Sequence, residues 1–303
     1  MDAQSLRLFV LACETLSISA AGRTLRMAPA VASTRIAKLE QLVGAELLHR
    51  STRKVSISLE GQDFLPYARE MIAQEEAALA AMGAGRAQIK GTLRFAAPST
   101  FAQLYIAPLL PDFMDRYPDL TLDLHLSDAQ FDLIEGSYDL ALRNSVLEDS
   151  TLTARKLADD QRVLCASPGY LERYGTPKTP ADLDQHRLIG FRNMEAKELT
   201  SANGNMALFD PKRGTQQLVV NDGATQRRVT REGAGISVNS TWLVHRDLAD
   251  GSLIRLLPEY EFVEEPSLWL IYPKSNVVSA KVRVFIDYLI EHVGRSKKWD
   301  MSS

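Results

Sequence analysis

Two sets of side chains in this 303-residue chain have types and spacings that could do chemistry. The first lies near the start. Pro29 opens a segment in which Ala30, Ser33, Thr34 and Ala37 share one helical face, with Arg35 and Lys38 at its flanks. Small side chains permit close approach to a duplex, hydroxyls reach base edges or phosphates, and Arg or Lys contacts guanine or the backbone. A plain three-helix bundle would carry the same face without reading anything. Downstream, His49-Arg50-Ser51-Thr52-Arg53-Lys54 is followed by the alternation Val55, Ile57, Leu59. That pattern reads as a β-hairpin wing whose tip carries Arg50, Thr52, Arg53 and Lys54, placed to hold phosphate or an adjacent minor groove.

The second set is dispersed. Ser99, Thr100 and Phe101 fall between a strand-like stretch, 93–97, and a helix-like one, 101–117, where hydroxyls and helix-start amides can hold an anion. Arg143 follows the strand-like 140–142 and could pair with a carboxylate in a bidentate way, with Asn144 beside it. Asn221, Asp222 and Thr225, at the next strand-to-helix junction, would contact the same ligand from the other side, and Phe191 would supply an apolar wall. Together they fit a small organic anion. Each has an ordinary use as well: the hydroxyls, Asn221 and Asp222 as helix caps, Arg143 in a salt bridge, Phe191 in a core.

Other chemistry finds no support. The five histidines (His49, His125, His186, His245, His292) have no paired spacing, and the sequence has no GxSxG elbow, phosphate loop or HExxH. Gly233-Ala234-Gly235 follows a helix and precedes a strand, the wrong context for a dinucleotide fingerprint. Cys13 and Cys165 are in neither a CxxC nor a metal-ligand spacing. An enzyme is therefore disfavoured, and no cofactor or metal is expected.

The elements that must position these residues follow from periodicity. Leu6, Phe9, Val10 and Cys13 form the stripe of a first helix. Ser19 reads as the cap of a second, with Ile18 as a staple, and Pro29 starts a third that runs to about Leu39. From about residue 60 to 84 the composition turns to helix formers, and Leu65, Ile72 and Leu79 recur every seven residues as a coiled-coil seam would, although Pro66 should kink its early part. Packing back on its own domain is the alternative. Gly83, Gly85 and Gly91 then mark a hinge. Strand-like and helix-like segments alternate from there on, the pattern of an α/β sheet with parallel strands. A short helix is expected at 131–137 and a terminal one at about 280–293.

The net charge of −3 argues against a nucleic-acid binder until it is resolved along the chain. Residues 1–54 hold eight basic side chains against four acidic ones, a net +4, which leaves −7 for the remainder. A small basic module joined to an acidic body shows this asymmetry. No stretch is apolar for long enough to span a bilayer or to act as a secretion signal, so the chain is expected to stay in the cytoplasm.

At this point the residues resemble a family. Phe9-Val10, Ser17 to Leu25, Ala28 to Glu40, Leu47 to Arg53 and Ser58-Leu59-Glu60-Gly61 look like the N-terminal winged helix-turn-helix of LysR-type transcriptional regulators. Ala28 and Ala30 stand where many members carry Ser, and Thr34 where Arg is frequent. The remainder resembles the effector-binding part of the same regulators through Gly91-Thr92-Leu93-Arg94, Ala107-Pro108-Leu109-Leu110, Tyr117-Pro118-Asp119, Tyr138 to Arg143, Ser167-Pro168-Gly169-Tyr170-Leu171 and Gly233-Ala234-Gly235-Ile236. The resemblance implies an all-α winged helix-turn-helix at 1–60, with Arg23 among its DNA contacts, and a linker and dimerisation helix at 61–88. It also implies an α/β effector domain at 89–303, similar to periplasmic solute-binding proteins, with subdomain I at 89–161 and 268–303 and subdomain II at 162–267. Expected partners are double-stranded DNA with an inverted repeat, a small organic anion, a second copy in a dimer or tetramer, and RNA polymerase. The alternative, a solute-binding protein of a transport system, would share the cleft but not the basic module.

Overall fold

The computed structural model describes residues 1–50, 55–81, 89–128, 138–145, 152–213, 215–263, 266–273, 278–294 and 299. The expected helix at 131–137, the glycines Gly83 and Gly85, and the wing-tip residues Thr52, Arg53 and Lys54 lie outside them. So do the side chains of Arg50 and Leu79.

Helix α1 (Ala3–Thr15) starts at Asp2, whose carboxylate accepts from the Ser5 amide at 3.0 Å and the Ser5 hydroxyl at 2.7 Å. Helix α2 (Ile18–Thr24) is capped by Ser17 and not by Ser19, because the Ser17 Oγ is the one that meets a first-turn amide, that of Ala20 at 3.2 Å. The turn after it is a Schellman closure: the Met27 amide reaches the Gly22 carbonyl at 2.8 Å with Arg26 in the left-handed region at φ 57°. Helix α3 (Pro29–Val43) begins at the expected proline but continues past Leu39 until Gly44, at φ 79°, stops it. A short antiparallel hairpin, β1 (Leu48–Arg50) with β2 (Val55–Ile57), forms the wing. The core of this head gathers Leu6, Phe9, Ala12, Ile18, Ala21, Ala32, Ile36, Leu39, Leu47 and Leu48.

Helix α4 (Leu59–Ala81) runs unbroken through Pro66. Leu65 is 7% exposed and packs with Ala68 into the core of the head, with Ile72 partly buried against it. Leu65 is therefore taken up by its own head and not by a seam for a second copy, while Ile72 rests partly against the same core. The uncovered side of α4 presents Tyr67, Glu70, Met71 and Gln74, which line a shallow recess.

The remaining chain forms two lobes. In the first, β3 (Gly91–Ala97) leads into helical turns over 99–116 that include α5 (Ser99–Phe101) and α6 (Leu110–Arg116), followed by β4 (Leu120–Leu126), β5 (Leu140–Ser145) and β6 (Leu152–Asp159). The second lobe contains β7 (Arg162–Ala166), α7 (Pro168–Tyr174), β8 (Arg187–Phe191), β9 (Lys197–Ser201) and β10 (Met206–Phe209). It continues through β11 (Thr215–Val220), α8 (Gly223–Arg231), β12 (Ser237–Ser240), α9 (Thr241–Ala249), β13 (Ile254–Leu256) and β14 (Tyr260–Phe262). The chain returns to the first lobe with β15 (Ser267–Pro273) and α10 (Ala280–Leu289), completing a five-stranded sheet in the order β4-β3-β5-β15-β6.

That sheet is mixed. β3 pairs in parallel with β4 and β5, but β15 returns antiparallel between β5 and β6. In the second lobe β8 pairs in parallel with β11 and, through the single bridge Leu188–Ile236, with the residue before β12, while β12 and β13 flank β7 in antiparallel fashion. The all-parallel expectation fails because the return strand from the second lobe enters from the opposite direction. The same strand extends β5 beyond residue 142, so Arg143 and Asn144 lie inside a strand, opposite Trp269 and Leu268, and not after it.

Candidate nucleic-acid interface and ligand cleft

The head holds α3 by close packing. A Cβ on Gly22 would meet that of Ala32 at 2.8 Å, so α2 and α3 cross at a distance only glycine permits. Glu40, on the inner side of α3, accepts from the amides of Leu47 and Leu48, both at 3.1 Å, and so fixes the root of the wing. The foot of the wing is tied to α4 by Ser58, whose hydroxyl donates to the Glu46 carbonyl at 2.6 Å and accepts from the Gly61 amide at 2.9 Å.

With its inner face held in this way, α3 exposes Pro29, Ala30, Thr34, Ala37 and Lys38, with Ser33 half-buried and Arg23 exposed on α2. The Thr34 hydroxyl donates to the Ala30 carbonyl at 2.9 Å. Arg35 is engaged differently from its exposed neighbours: its guanidinium donates to Asp2 at 2.9 Å, bracing the start of α1 against α3. Asp2 is held below the usual carboxylate range, first by the Ser5 hydroxyl, against opposing desolvation, and then by the Ser5 amide and Arg35. An exposed helix face of small and hydroxyl residues beside Lys38 has the shape to enter a major groove.

In the two-lobed part, register brings the second set of residues to one edge. β3 and β5 pair Ala96 with Ala141, so Arg143 stands two positions further along, level with Pro98. β4 ends at Leu126, the Ser127 amide donates to the Ala97 carbonyl at 3.0 Å, and Asp128 follows. Open α/β sheets bind ligands at this edge, beyond the carboxyl ends of parallel strands. Ser99 donates to Asp128 Oδ1 through its amide (2.6 Å) and its hydroxyl (2.8 Å). From the second lobe, the Gly223 amide donates to Asp128 Oδ2 at 3.1 Å, and the Ala224 amide donates to the Thr100 hydroxyl at 3.1 Å. That hydroxyl lies 3.5 Å from a carboxylate oxygen of both Asp128 and Asp222. Asp222 caps α8 by accepting from the Thr225 amide at 2.6 Å. Burial pushes its carboxyl up, but the Thr225 hydroxyl and amide, with Asp128 and Thr100, bring the net shift below the ordinary value.

Ser99, Thr100, Asp222 and Thr225 thus converge across the two lobes. The other expected contacts have different surroundings. Phe101 is buried in the first lobe, edge-on to Trp242 and stacked at a tilt on Tyr105. Asn144 donates to Asp160 at 2.7 Å, in a polar group with Arg162 and Ser240 where the chain crosses between lobes. Phe191 lines a separate open recess with Asn193, Met194, Lys212 and Val219, and Asn221 is exposed. The residue that the sequence reading missed is Asp128. Its signal was its place at the carboxyl end of a strand, in the same layer as Ser99.

The head and the first lobe also touch. Glu14 of α1 accepts from Arg69 of α4 and forms an ion pair with Arg94 of β3, each at 3.3 Å, beside Cys13, whose thiol is pushed up to about 12 by burial. Cys165 is likewise pushed up to about 12 by burial, and neither thiol is activated. Among the described residues no cluster could hold a metal ion, and no helix is long and apolar enough to cross a membrane.

Comparison with known proteins accounts for both parts. Residues 3–62 match the bacterial regulatory helix-turn-helix protein family of the LysR type, and residues 86–294 match the LysR substrate binding domain. The transcriptional regulator CrgA of Neisseria meningitidis serogroup C is 32% identical over 97% of this chain and 98% of its own length. Escherichia coli DmlR, also named a transcriptional regulator, is 31% identical over 95% of this chain and 93% of its own. Among solved structures, CrgA superposes with a TM-score of 0.61, covering 97% of this chain and 99% of that one at 32% identity. Full-length AphB, the Vibrio cholerae virulence activator, gives 0.60 at 26% identity, covering 97% of this chain and all of its own. These relatives are regulators and not enzymes, and their likeness extends over head, helix and both lobes: the chain belongs to the LysR family of DNA-binding transcriptional regulators.

Proposed function

We propose that this regulator responds to a small organic anion seated between its two lobes, and that it acts from the cytoplasm as a dimer or tetramer on an inverted-repeat operator, in communication with RNA polymerase. The supporting observation for the ligand is that donors from both lobes, Ser99, Thr100 and Gly223, already converge on a carboxylate, with Arg143 on the adjacent strand. A ligand carboxylate at this edge would meet the same donors. For assembly, the support is the uncovered side of α4, where Tyr67 and Met71 stand exposed four residues apart beside Glu70 and Gln74, a mixed face for a second α4. Two heads related by such an axis read two half-sites.

On DNA, Ser33, Thr34, Arg23 and Lys38 are assigned to groove and phosphate contacts, together with Arg50, Thr52, Arg53 and Lys54 of the wing. A thermal-shift screen of carboxylic acids tests the ligand. One or more should raise Tm, with the shift abolished in Arg143→Ala. Equal stabilisation of the variant removes Arg143 from the site, and no shift from any carboxylate overturns the anion reading.

A further inference from the structure

Asp128 occupies the position where an anion would be held. Its Oδ1 is bound by the amide and hydroxyl of Ser99 in its own lobe, and its Oδ2 by the Gly223 amide at the start of α8 in the other. We propose that Asp128 is the protein's own stand-in for the inducer: its carboxylate holds the lobes together when no inducer is bound, and an incoming carboxylate displaces it. The displacement rests on the organic-anion reading; the clasp does not.

Chemistry favours a releasable clasp. A carboxylate is an acceptor only, and here it meets backbone donors that have no alternative acceptor within their helical turns, so the fit is good. Yet Thr100 Oγ1 lies 3.5 Å from an oxygen of each of Asp128 and Asp222, and a hydroxyl has one proton to give. Closure therefore brings two carboxylates to a hydroxyl that can donate to only one of them at a time, so one is left without that donor in the closed form. Exchange of Asp128 for a ligand carboxylate conserves the Ser99 and Gly223 hydrogen bonds. The direction of the equilibrium is then set by whatever else the ligand touches, which is how a small molecule shifts a two-state population.

Hydrogen–deuterium exchange on the full-length protein tests the clasp. In Asp128→Gly, peptides containing Ser99 and Gly223 should both exchange roughly tenfold faster or more, while core amides such as Phe285 stay protected. Acetate should restore slow exchange at both places in that variant and leave the wild type unchanged. If the glycine variant does not fold, Asp128→Ala serves: its methyl group offers an acceptor to neither Ser99 nor Gly223, so exchange must rise at both. Faster exchange at Ser99 with no change at Gly223 overturns the proposal, since Asp128 would then cap a helix start in its own lobe only. Failure of acetate to restore protection in a folded glycine variant overturns it too. Failure of the organic-anion reading looks different: acetate rescue stands, but no carboxylate alters the operator footprint of the wild type.

Discussion

The head and the two-lobed sensor use opposite strategies to present function. In the head, polar groups such as Glu40, Ser58 and Asp2 are consumed by structure, and the outer face of α3 is left clear for a polymer to dock. In the sensor, the polar groups at the strand ends are turned inward on each other, Ser99 and Gly223 on Asp128, Thr100 beside Asp222. A duplex is met by a preformed convex surface. A small molecule must compete with contacts that the protein already makes with itself.

The comparison is broken most severely by removing the rigidity of the head. A Cβ on Gly61 would lie 2.1 Å from the Leu47 carbonyl oxygen, and one on Gly22 2.8 Å from the Ala32 Cβ. Gly61→Val and Gly22→Val are expected to destabilise the head by about 3 kcal/mol or more through overpacking, abolishing operator binding while the sensor melts as before. Calorimetry should show the head transition falling alone. A variant that binds DNA normally would show that the tight crossings do not set the reading geometry.

Next in size are the outward cations. Lys38→Ala should weaken binding alike on specific and unrelated DNA and lower the slope of log affinity against log salt by about 1. Arg35→Ala separates two roles. As a brace to Asp2, half-exposed, Arg35 contributes no more than about 1 kcal/mol of head stability; Asp2→Ala, which loses the cap of α1 as well, should lower Tm further but match Arg35→Ala in DNA affinity. If Arg35→Ala loses far more affinity than Asp2→Ala, the guanidinium leaves Asp2 to bind DNA.

The same contrast explains how much could be read from the sequence. A helix face is a local pattern, and the stripe from Ala30 to Lys38 with Pro29 ahead of it was legible because every participant lies within a few turns. The heptad of α4 was visible too but ambiguous, since a seven-residue repeat looks alike whether Leu65 faces a second copy or its own α1. The cleft depends on residues far apart in sequence. Ser99, Thr100 and Asp222 were reached by the rule that ligands sit at strand ends; Asp128 obeys the same rule just after β4 but was passed over, because nothing near it in sequence records that Gly223 will lie 3.1 Å away. Arg143 and Asn144 were misplaced relative to β5 because the pairing that lengthens that strand comes from β15.

A smaller effect concerns the junction of the two regions. Glu14 forms an ion pair with Arg94 of the sensor and accepts from Arg69 of α4 with all three side chains largely shielded from solvent. Glu14→Gln should change stability by about 1 kcal/mol or less, because the two cations retain other neighbours. Its informative readout is coupling: the effect of an inducer on operator affinity should diminish while affinity without inducer holds. Unchanged coupling would make the contact a passive one.

The least expected effect isolates the charge of Asp222 from its cap. The folded carboxyl lies below its ordinary value, so it binds its proton less readily than in the unfolded chain. Its contribution to stability is therefore fully present above the unfolded value and is lost as pH falls through the lower, folded one. Asp222→Asn keeps a side-chain oxygen for the Thr225 amide, since Asn caps helices about as well as Asp, and removes only the titration. Acid denaturation followed by circular dichroism should then show a shallower fall in stability below about pH 4 for the variant than for the wild type. An identical slope would mean that the fold holds the protonated and ionised forms of Asp222 equally well, so that its role in the closed cleft is the cap of α8 and not its charge.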